Sequence, residues 1–399
     1  MTQAERNLMA GIYIHIPFCK QACYYCDFHF STSLNNKDAF LKALKKEIEM
    51  QKNYLATISN AEKQTEISTI YFGGGTPSML SQSELMGLIE TLHKYFKISP
   101  DAEITLEANP DDLTSLKIKE LKNTPVNRLS IGIQSFFDED LKSMNRVHNS
   151  QEALSAVKAS QDKGFENITI DLIYGIPSLT NQKWKQNLRT AFDLEVKHIS
   201  SYCLTVEPKT ALAHLVKEGK IKNVDEQQSA EQFEIMLDEM RKNNFLQYEI
   251  SNFCKDNFFS RHNTNYWLKE TYLGLGPSAH SFNGNTRQWN ISNNALYIQS
   301  LEKNKLNFEE EILTEQQQYN EYILTSLRTM WGTDLSYIEK YFGKDYLSYC
   351  VNESEKYILQ GDIKEEENKL FLTDKGKLFA DKIAGDLFEI NKKDAKTKT

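Results

Sequence analysis

The stretch Gly11–Ser31, GIYIHIPFCKQACYYCDFHFS, decides the fold that the rest of the chain completes. Its first part alternates β-branched and aromatic residues over Ile12–Ile16, which predicts a strand. A proline ends that strand, and the loop that follows carries Cys19, Cys23 and Cys26. Three of the chain's six cysteines thus lie within eight residues, which predicts a metal centre directly after the first strand.

The spacing C-x3-C-x2-C supplies three thiolates that a short loop can wrap around one centre. Structural zinc normally takes four Cys or His ligands, whereas a [4Fe–4S] cluster held by three cysteines leaves one iron open for a small chelating molecule. The spacing therefore favours an iron–sulfur cluster, and a structural zinc loop is the alternative.

Composition sets broad limits on the function. The chain has 399 residues with 40% hydrophobic content, enough for one large α/β domain and a smaller one. Its net charge of −8 argues against a general nucleic-acid binder, which needs a basic face. Neither a secretory segment nor an apolar run long enough to span a bilayer is evident. We therefore expect a cytoplasmic protein, with Cys203, Cys254 and Cys350 as ordinary buried thiols.

Strand and helix patterns alternate through the first half of the chain. After the first strand, we predict further strands at 68–72, 103–107, 128–134, 167–174 and 198–206, separated by amphipathic helices. Helical crossovers of this length imply a parallel sheet. The predicted fold class is α/β, a partial (β/α)6 TIM-like barrel, with a doubly wound sheet as the alternative.

Polar residues and glycines follow the predicted strands where a parallel barrel places its chemistry. Gly73, Gly74 and Gly75 let the backbone approach a ligand closely. Carboxylates suit ribose hydroxyls or an ammonium group, and an arginine suits a carboxylate. Four such polar residues are present: Glu107, Gln134, Arg146 and Asp171. The alternative is a simple tight turn with salt-bridged residues at the barrel rim.

The cysteine spacing, with the aromatic Tyr25 before the third cysteine, resembles the cluster loop of the radical S-adenosylmethionine (SAM) superfamily. In that family the amino and carboxylate groups of SAM chelate the open iron, and an electron from the cluster cleaves the sulfonium to a 5′-deoxyadenosyl radical. The segments YIHIPFC, YFGGGTPS, ITLEANP, LSIGIQSF, MNRVH and TIDLIYGIP resemble its coproporphyrinogen dehydrogenase-related branch. The resemblance implies these SAM-binding residues: Tyr13, Tyr25, Gly73, Gly74, Gly75, Glu107, Gln134, Arg146 and Asp171.

A later segment, Arg261–Trp267, contains the pattern H-N-x-x-Y-W, which resembles the signature of the radical SAM haem chaperones, the HemW family. The resemblance implies that His262, Tyr266 and Trp267 contact haem. A neutral imidazole is a common haem ligand, and aromatic rings offer flat surfaces to a porphyrin. The alternative is a hydrogen-bonded histidine in a segment that closes the barrel. Rival ligands are His15, His148 and His280.

Two departures separate the chain from the oxygen-independent coproporphyrinogen III dehydrogenases. Those enzymes carry another cysteine where this chain has Phe28, and they have an N-terminal extension where this chain has a short leader. Both departures favour a haem chaperone over oxidative decarboxylation. Beyond about residue 307 the helix–helix–strand–helix order suggests a winged-helix-like module.

The sequence thus predicts a barrel domain over 1–306, a C-terminal helical domain over 307–390 and a disordered tail over 391–399. The leading hypothesis is a haem chaperone that binds a [4Fe–4S] cluster, SAM and haem and delivers haem to apo-haemoproteins. A reducing electron donor for the cluster is a further expected partner, and nucleic acid is not. The alternative function is the radical SAM decarboxylation of coproporphyrinogen III.

Overall fold

The structure is a computed structural model that describes residues 9–55 and 65–389. Its first half alternates strands and helices as the sequence predicts. The parallel strands are β1 (Met9–Ile16), β2 (Glu66–Gly74), β3 (Lys97–Ala108), β4 (Arg128–Gln134), β5 (Asn167–Tyr174) and β6 (His198–Cys203). The helices of this half are α1 (Lys37–Met50), α2 (Gln82–Tyr95), α3 (Ser115–Lys122), α4 (Asp138–Ser143), α5 (Ser150–Asp162) and α6 (Asn181–Asp193).

Strands β1 to β6 lie side by side in chain order and are all parallel. Six more strands complete a 12-stranded sheet: β7 (Leu246–Glu249), β8 (Asn252–Cys254), β9 (Tyr272–Leu275), β10 (His280–Phe282), β11 (Thr286–Asn290) and β12 (Phe308–Ile312). Strand β9 pairs in parallel with the free side of β1. Among the described residues, β12 and β7 end the sheet without pairing to each other, so the predicted partial barrel is confirmed as an open one.

Four helices connect the added strands: α7 (Ala211–Lys217), α8 (Glu226–Lys242), α9 (Arg261–Trp267) and α10 (Asn294–Glu302). Helix α9 carries the H-N-x-x-Y-W pattern and contacts β2 inside the curve of the sheet. No helix within the described residues is both long and apolar enough to cross a membrane.

The two faces of the parallel strands have opposite chemistry. On β1, Ile12, Ile14 and Ile16 are fully buried in the main core, which also includes Phe40 and Leu44 of α1. The alternate positions turn inward and are largely polar. Parallel strands that are buried on both sides usually read as continuous apolar runs. The alternation here means that the inner face surrounds a polar chamber rather than a packed hydrocarbon core.

A separate core organises the C-terminal region. Its elements are α11 (Glu315–Leu327), β13 (Thr333–Asp334), α12 (Leu335–Phe342), α13 (Lys344–Leu359), β14 (Ile363–Glu366), β15 (Lys369–Leu372), α14 (Asp374–Lys377) and α15 (Ala380–Asp386). The three short strands form their own antiparallel sheet. The buried residues of this core include Tyr319, Ile338 and Ile383, so a C-terminal helical domain is present.

The domain boundary predicted at 306/307 stays a prediction, because strand β12 beyond it still pairs with β11 of the large sheet. This pairing supports a boundary after Ile312. The predicted disordered tail over 391–399 lies outside the described residues.

Candidate functional site

Cys19, Cys23 and Cys26 lie on the loop after β1, and all three are partly buried. The loop is held at both ends by the backbone: Cys19 N–H donates to the Ser31 carbonyl at 3.0 Å, and Thr76 N–H donates to the Phe18 carbonyl at 2.7 Å. The three thiols line one cavity of about 690 Å³ inside the open barrel. The fold therefore presents the cysteines to an enclosed space.

These thiols suit a cluster better than a single ion. Within residues 9–55 and 65–389, no three His, Cys, Asp or Glu side chains are arranged to hold one metal ion. A [4Fe–4S] cluster instead binds its thiolates on different iron atoms. Burial raises the pKa of the Cys19 thiol and raises that of Cys26 to about 11. Coordination to iron would supply the positive charge that stabilises the thiolates.

The glycine loop packs directly beneath the cluster loop. Gly74 has φ of +107°, and a Cβ on it would lie 2.6 Å from the His15 ring. A Cβ on Gly75 would lie 2.7 Å from the Phe18 carbonyl oxygen, and one on Gly73 would meet Tyr13 and Tyr71 at 2.9 Å. Only glycine fits such close approaches. Gly74 and Gly75 line the cavity, whereas Gly73 packs beneath two tyrosine rings without lining it.

Two carboxyl groups predicted to bind SAM face the same chamber. Glu107 accepts hydrogen bonds from the Tyr71 hydroxyl at 2.7 Å and from Gly74 N–H at 3.2 Å. Burial raises the pKa of Glu107 to about 7, and the Asp171 charge adds to that rise. Burial also raises the pKa of Asp171 to about 6, against hydrogen bonds from Ser200 and Ser130. Both groups therefore change charge near neutral pH.

Arg146 lies partly buried between the cluster loop and the end of β4. Its Nη1 donates to Cys23 Sγ at 3.3 Å, and its Nη2 donates to Asn109 Oδ1 and to the Gly132 carbonyl, both at 2.7 Å. Burial opposes the charged form, but Tyr25 and Cys23 outweigh it, so the Arg146 pKa is raised. A permanent cation thus lies beside the cysteines, where it can hold a carboxylate.

The remaining predicted SAM residues also line the cavity. Tyr13 and Tyr25 face it from β1 and from the cluster loop, and burial raises the pKa of both hydroxyl groups. Gln134 ends β4 at φ of 70°, an unusual backbone conformation for a residue with a side chain. This left-handed turn brings its amide to the chamber. Together these groups can hold a zwitterionic nucleoside next to a cluster.

His262 lies in the same cavity, but deeper. Its Nδ1 is 2.8 Å from Thr69 Oγ1 and its Nε2 is 2.9 Å from the Tyr266 hydroxyl, so both ring nitrogens are engaged. The ring stacks on Tyr71 with a centroid distance of 5.1 Å. Burial lowers the His262 pKa to about 3, which keeps the imidazole neutral. His262 and Tyr266 therefore form part of the cavity floor.

Trp267, at the end of α9, is not among the cavity-lining residues. Its ring instead lies beneath Arg328 of the C-terminal domain, at 5.4 Å from the guanidinium carbon. The indole N–H is buried, and no described residue accepts its hydrogen bond. The H-N-x-x-Y-W helix thus reaches from the cavity floor to the C-terminal domain.

The rival histidines lie elsewhere. His15 Nε2 donates to the His29 carbonyl at 2.8 Å, and its Nδ1 accepts from the Tyr13 hydroxyl at 3.1 Å. His148 Nε2 donates to the Ile133 carbonyl at 3.0 Å. His280 is exposed on β10. None of these three lines the cavity.

The cavity floor, the part of the cavity lined by strand residues and by α9, includes three residues that were not predicted from the sequence: Arg128, Thr169 and His198. Each occupies an inward position near the start of a strand, whereas the motifs gather near strand ends. Arg128 Nη2 donates to Thr169 Oγ1, and Thr169 Oγ1 is 3.0 Å from His198 Nδ1. The signal available in the sequence was the polar alternation along β4, β5 and β6.

The sequence matches the Radical SAM superfamily over residues 13–191 and the HemN C-terminal domain over residues 313–379. It is 35% identical over 381 residues to the heme chaperone HemW of Bacillus subtilis (strain 168), covering 94% of this chain and 98% of that relative. It is 32% identical to heme chaperone HemW of Lactococcus lactis subsp. lactis (strain IL1403), with 91% and 93% of the two chains covered.

Among solved structures, the fold resembles coproporphyrinogen III oxidase (HemN) from Escherichia coli, described as a radical SAM enzyme. The TM-score is 0.82 at 22% sequence identity, covering 97% of this chain and 93% of that one. At this identity the likeness shows the fold, an α/β radical SAM fold with a parallel sheet. On the sequence identity to the curated relatives along most of its length, the chain belongs to the heme chaperone HemW family.

Proposed function

We propose that this protein is a haem chaperone that holds a [4Fe–4S] cluster through Cys19, Cys23 and Cys26, binds SAM and haem, and delivers haem to apo-haemoproteins. The observation that carries the proposal is the single cavity in which the three thiols, the glycine loop and the H-N-x-x-Y-W helix meet. The names of the curated relatives support the same cargo. A cytoplasmic location and a reducing partner for the cluster belong to the proposal.

In this proposal, SAM occupies the upper part of the cavity. Arg146 would hold its carboxylate beside Cys23, the glycine loop would line the methionine portion, and Glu107 and Asp171 would accept hydrogen bonds from its amino group or its ribose. The bound cluster would supply one electron to the sulfonium. The protein's own contribution is to orient SAM and to limit its contact with water, since these side chains are partly buried.

Haem contact by His262, Tyr266 and Trp267 is also proposed, and the structure sets a condition for each end of the motif. Trp267 lies beneath Arg328 outside the cavity lining and would have to turn towards the haem. Ligation through His262 Nε2 requires that nitrogen to leave the Tyr266 hydroxyl, now 2.9 Å away. The neutral imidazole, kept so by burial, has the protonation state that iron ligation needs. Haem binding would therefore rearrange the contact between His262 and Tyr266.

The test is a spectroscopic haem titration of the anaerobically reconstituted full chain. Wild type, His262→Ala and a control, His280→Ala, are compared, because His280 is exposed and outside the cavity. We expect saturable one-to-one binding by wild type and by the control, and weaker binding by His262→Ala. Equal binding by all three would move the haem ligand to another residue.

Absence of specific haem binding by wild type would contradict the chaperone. A parallel assay for carbon dioxide release from coproporphyrinogen III, with SAM and a reductant, checks the alternative enzyme. We expect no release, because Phe28 is 67% exposed at the cavity mouth, at the position where those enzymes carry a cysteine.

A further inference from the structure

Arg128 is a buried cation at the cavity floor that the SAM and haem assignments leave unused. It begins β4, is 1% exposed and lines the cavity. A guanidinium has five N–H donors. Within the part of the chain that the structure describes, this one makes a single hydrogen bond, from Nη2 to Thr169 Oγ1. Its Nε is buried and has no hydrogen-bond acceptor.

The nearest carboxylate does not fill this gap. Glu103 Oε2 is 3.8 Å from Arg128 Nε, too far for a hydrogen bond. The Glu103 oxygens instead accept the backbone N–H groups of His262 at 3.1 Å and Arg261 at 3.2 Å. Glu103 therefore balances part of the charge and is occupied in fixing α9. The unpaired N–H groups of the terminal nitrogens of Arg128 remain available to the chamber, whereas its Nε is enclosed.

Arg146 provides the contrast within the same cavity. Both terminal nitrogens of its guanidinium are hydrogen-bonded, to Cys23, Asn109 and Gly132, and its Nε, like that of Arg128, has no acceptor among the described residues. Buried polar groups are nearly always hydrogen-bonded, and an unpaired one costs free energy. A buried guanidinium that faces a cavity with most donors unused is therefore built for an acceptor that the cavity receives. A planar carboxylate matches its paired donors best.

We infer that Arg128 anchors a propionate carboxylate of the porphyrin cargo. The inference rests on the proposed function, which supplies a ligand with carboxylate side chains. The rings of Tyr71 and His262 stack next to this corner of the chamber, which gives a porphyrin an aromatic contact beside its anionic group. Thr169 fixes the guanidinium from one side, and His198 in turn fixes Thr169 at 3.0 Å.

The experiment compares haem with its dimethyl ester, in which both propionates are uncharged, on the full reconstituted chain. Wild type should bind free haem about tenfold or more tightly than the ester, the size expected of charge-assisted hydrogen bonds. Arg128→Gln should lose that preference by weakening free haem alone. Arg241→Gln is the matched control, because Arg241 lies on the surface beside Asp374 and its loss removes the same charge.

A second variant guards against misfolding. Arg128→Gln leaves the Glu103 carboxylate buried without its cation, so Glu103→Gln/Arg128→Gln removes both charges together. It should also bind free haem and the ester equally. SAM also carries a carboxylate, so a titration of the same variants with SAM shows whether Arg128 binds the carboxylate of SAM or a propionate of haem. A loss of SAM binding with unchanged haem binding would assign Arg128 to SAM and overturn the inference.

The remaining outcomes separate the two proposals. If wild type binds haem and the Arg128 variants keep the preference for free haem, the inference is wrong and the chaperone stands. If wild type binds neither haem nor the ester, the proposed function fails, and the inference fails with it.

Discussion

The mouth and the floor of the cavity are built differently. At the mouth, loops present thiols, glycine backbone and Gln134 in a left-handed conformation, and the cysteines are partly accessible. At the floor, strand residues and α9 form a buried polar network in which His262 and His198 have both ring nitrogens engaged. The mouth has the features of a ligand site on loops, whereas most of the floor is already satisfied by the protein itself.

The difference shows that one cavity can bind ligands through its loops while a buried polar network beneath them stabilises the fold. Loops at strand ends accept backbone conformations that reactive ligands need. The buried network below them keeps strands and helix α9 in register, because most of its polar groups have a partner that would be costly to remove. Arg128 is an exception, since its side chain makes one hydrogen bond and its Nε has no acceptor among the described residues.

The largest expected effect is on the cluster. Cys19→Ser, Cys23→Ser or Cys26→Ser should abolish it, because three thiolates are the minimum set here, while the fold survives. Iron and acid-labile sulfide, measured on anaerobically reconstituted protein, should fall from about four of each per chain to near zero. Cys203→Ser, which changes a thiol lining the same cavity away from the loop, is the control. If a loop variant kept the full cluster, the cysteine it changed would not be a cluster ligand, and the mouth would not be the cluster site.

A smaller effect is expected on SAM affinity at the mouth. The pKa of Glu107 is about 7 and that of Asp171 about 6, so both become ionised as the pH rises from 6 to 8. Because SAM carries positive charge, its affinity should rise over that interval by about tenfold, roughly the worth of one charge-assisted contact. Equilibrium dialysis under anaerobic conditions measures it.

Glu107→Gln should weaken SAM binding at pH 8 and should reduce the increase in SAM affinity between pH 6 and pH 8. Glu66→Gln, at the opposite end of β2 and paired with Lys97, should leave both unchanged. A wild-type affinity that does not depend on pH would show that the carboxyl groups are not charged partners of SAM.

The smallest effect concerns the stability of the floor. Burial lowers the pKa of His262 to about 3 and that of His198 well below its ordinary value. The unfolded chain binds protons near pH 6.5 that these buried rings do not, so the two histidines lower the free energy of unfolding as the pH drops from 7 to 5. Glu107 and Asp171 act in the opposite direction, because their raised pKa values let the folded chain bind protons over the same interval. Each histidine contributes a slope of up to about 1.4 kcal/mol per pH unit.

Urea unfolding of His262→Gln at pH 7 and pH 5 checks this prediction. The variant should be less stable at pH 7 and should lose less stability than wild type between pH 7 and pH 5, whereas exposed His214→Gln should behave as wild type. If the free energy of unfolding of His262→Gln depended on pH as strongly as that of wild type, His262 would be protonated in the folded chain as readily as in the unfolded chain.

Residues near the ends of the strands were predictable because they lie in short, contiguous motifs. The cysteine loop, Gly74, Glu107, Arg146 and Asp171 were all identified from sequence and line one cavity. Arg128 and His198 were not, because a polar residue at the start of a strand has no distinctive neighbours. Their roles follow from pairing between strands, which aligns β4 with β5 and β5 with β6.

The sequence by itself determined the βα order, the cluster loop and the motifs at the ends of β2 and β3, because these depend on local periodicity, proline and glycine signals, and short spacings. Only the tertiary structure decided that the barrel stays open, that both nitrogens of His262 are engaged, and that Arg128 keeps most of its donors unused. The physical reason is that these features arise from contacts between residues far apart in the chain, such as Thr69 with His262.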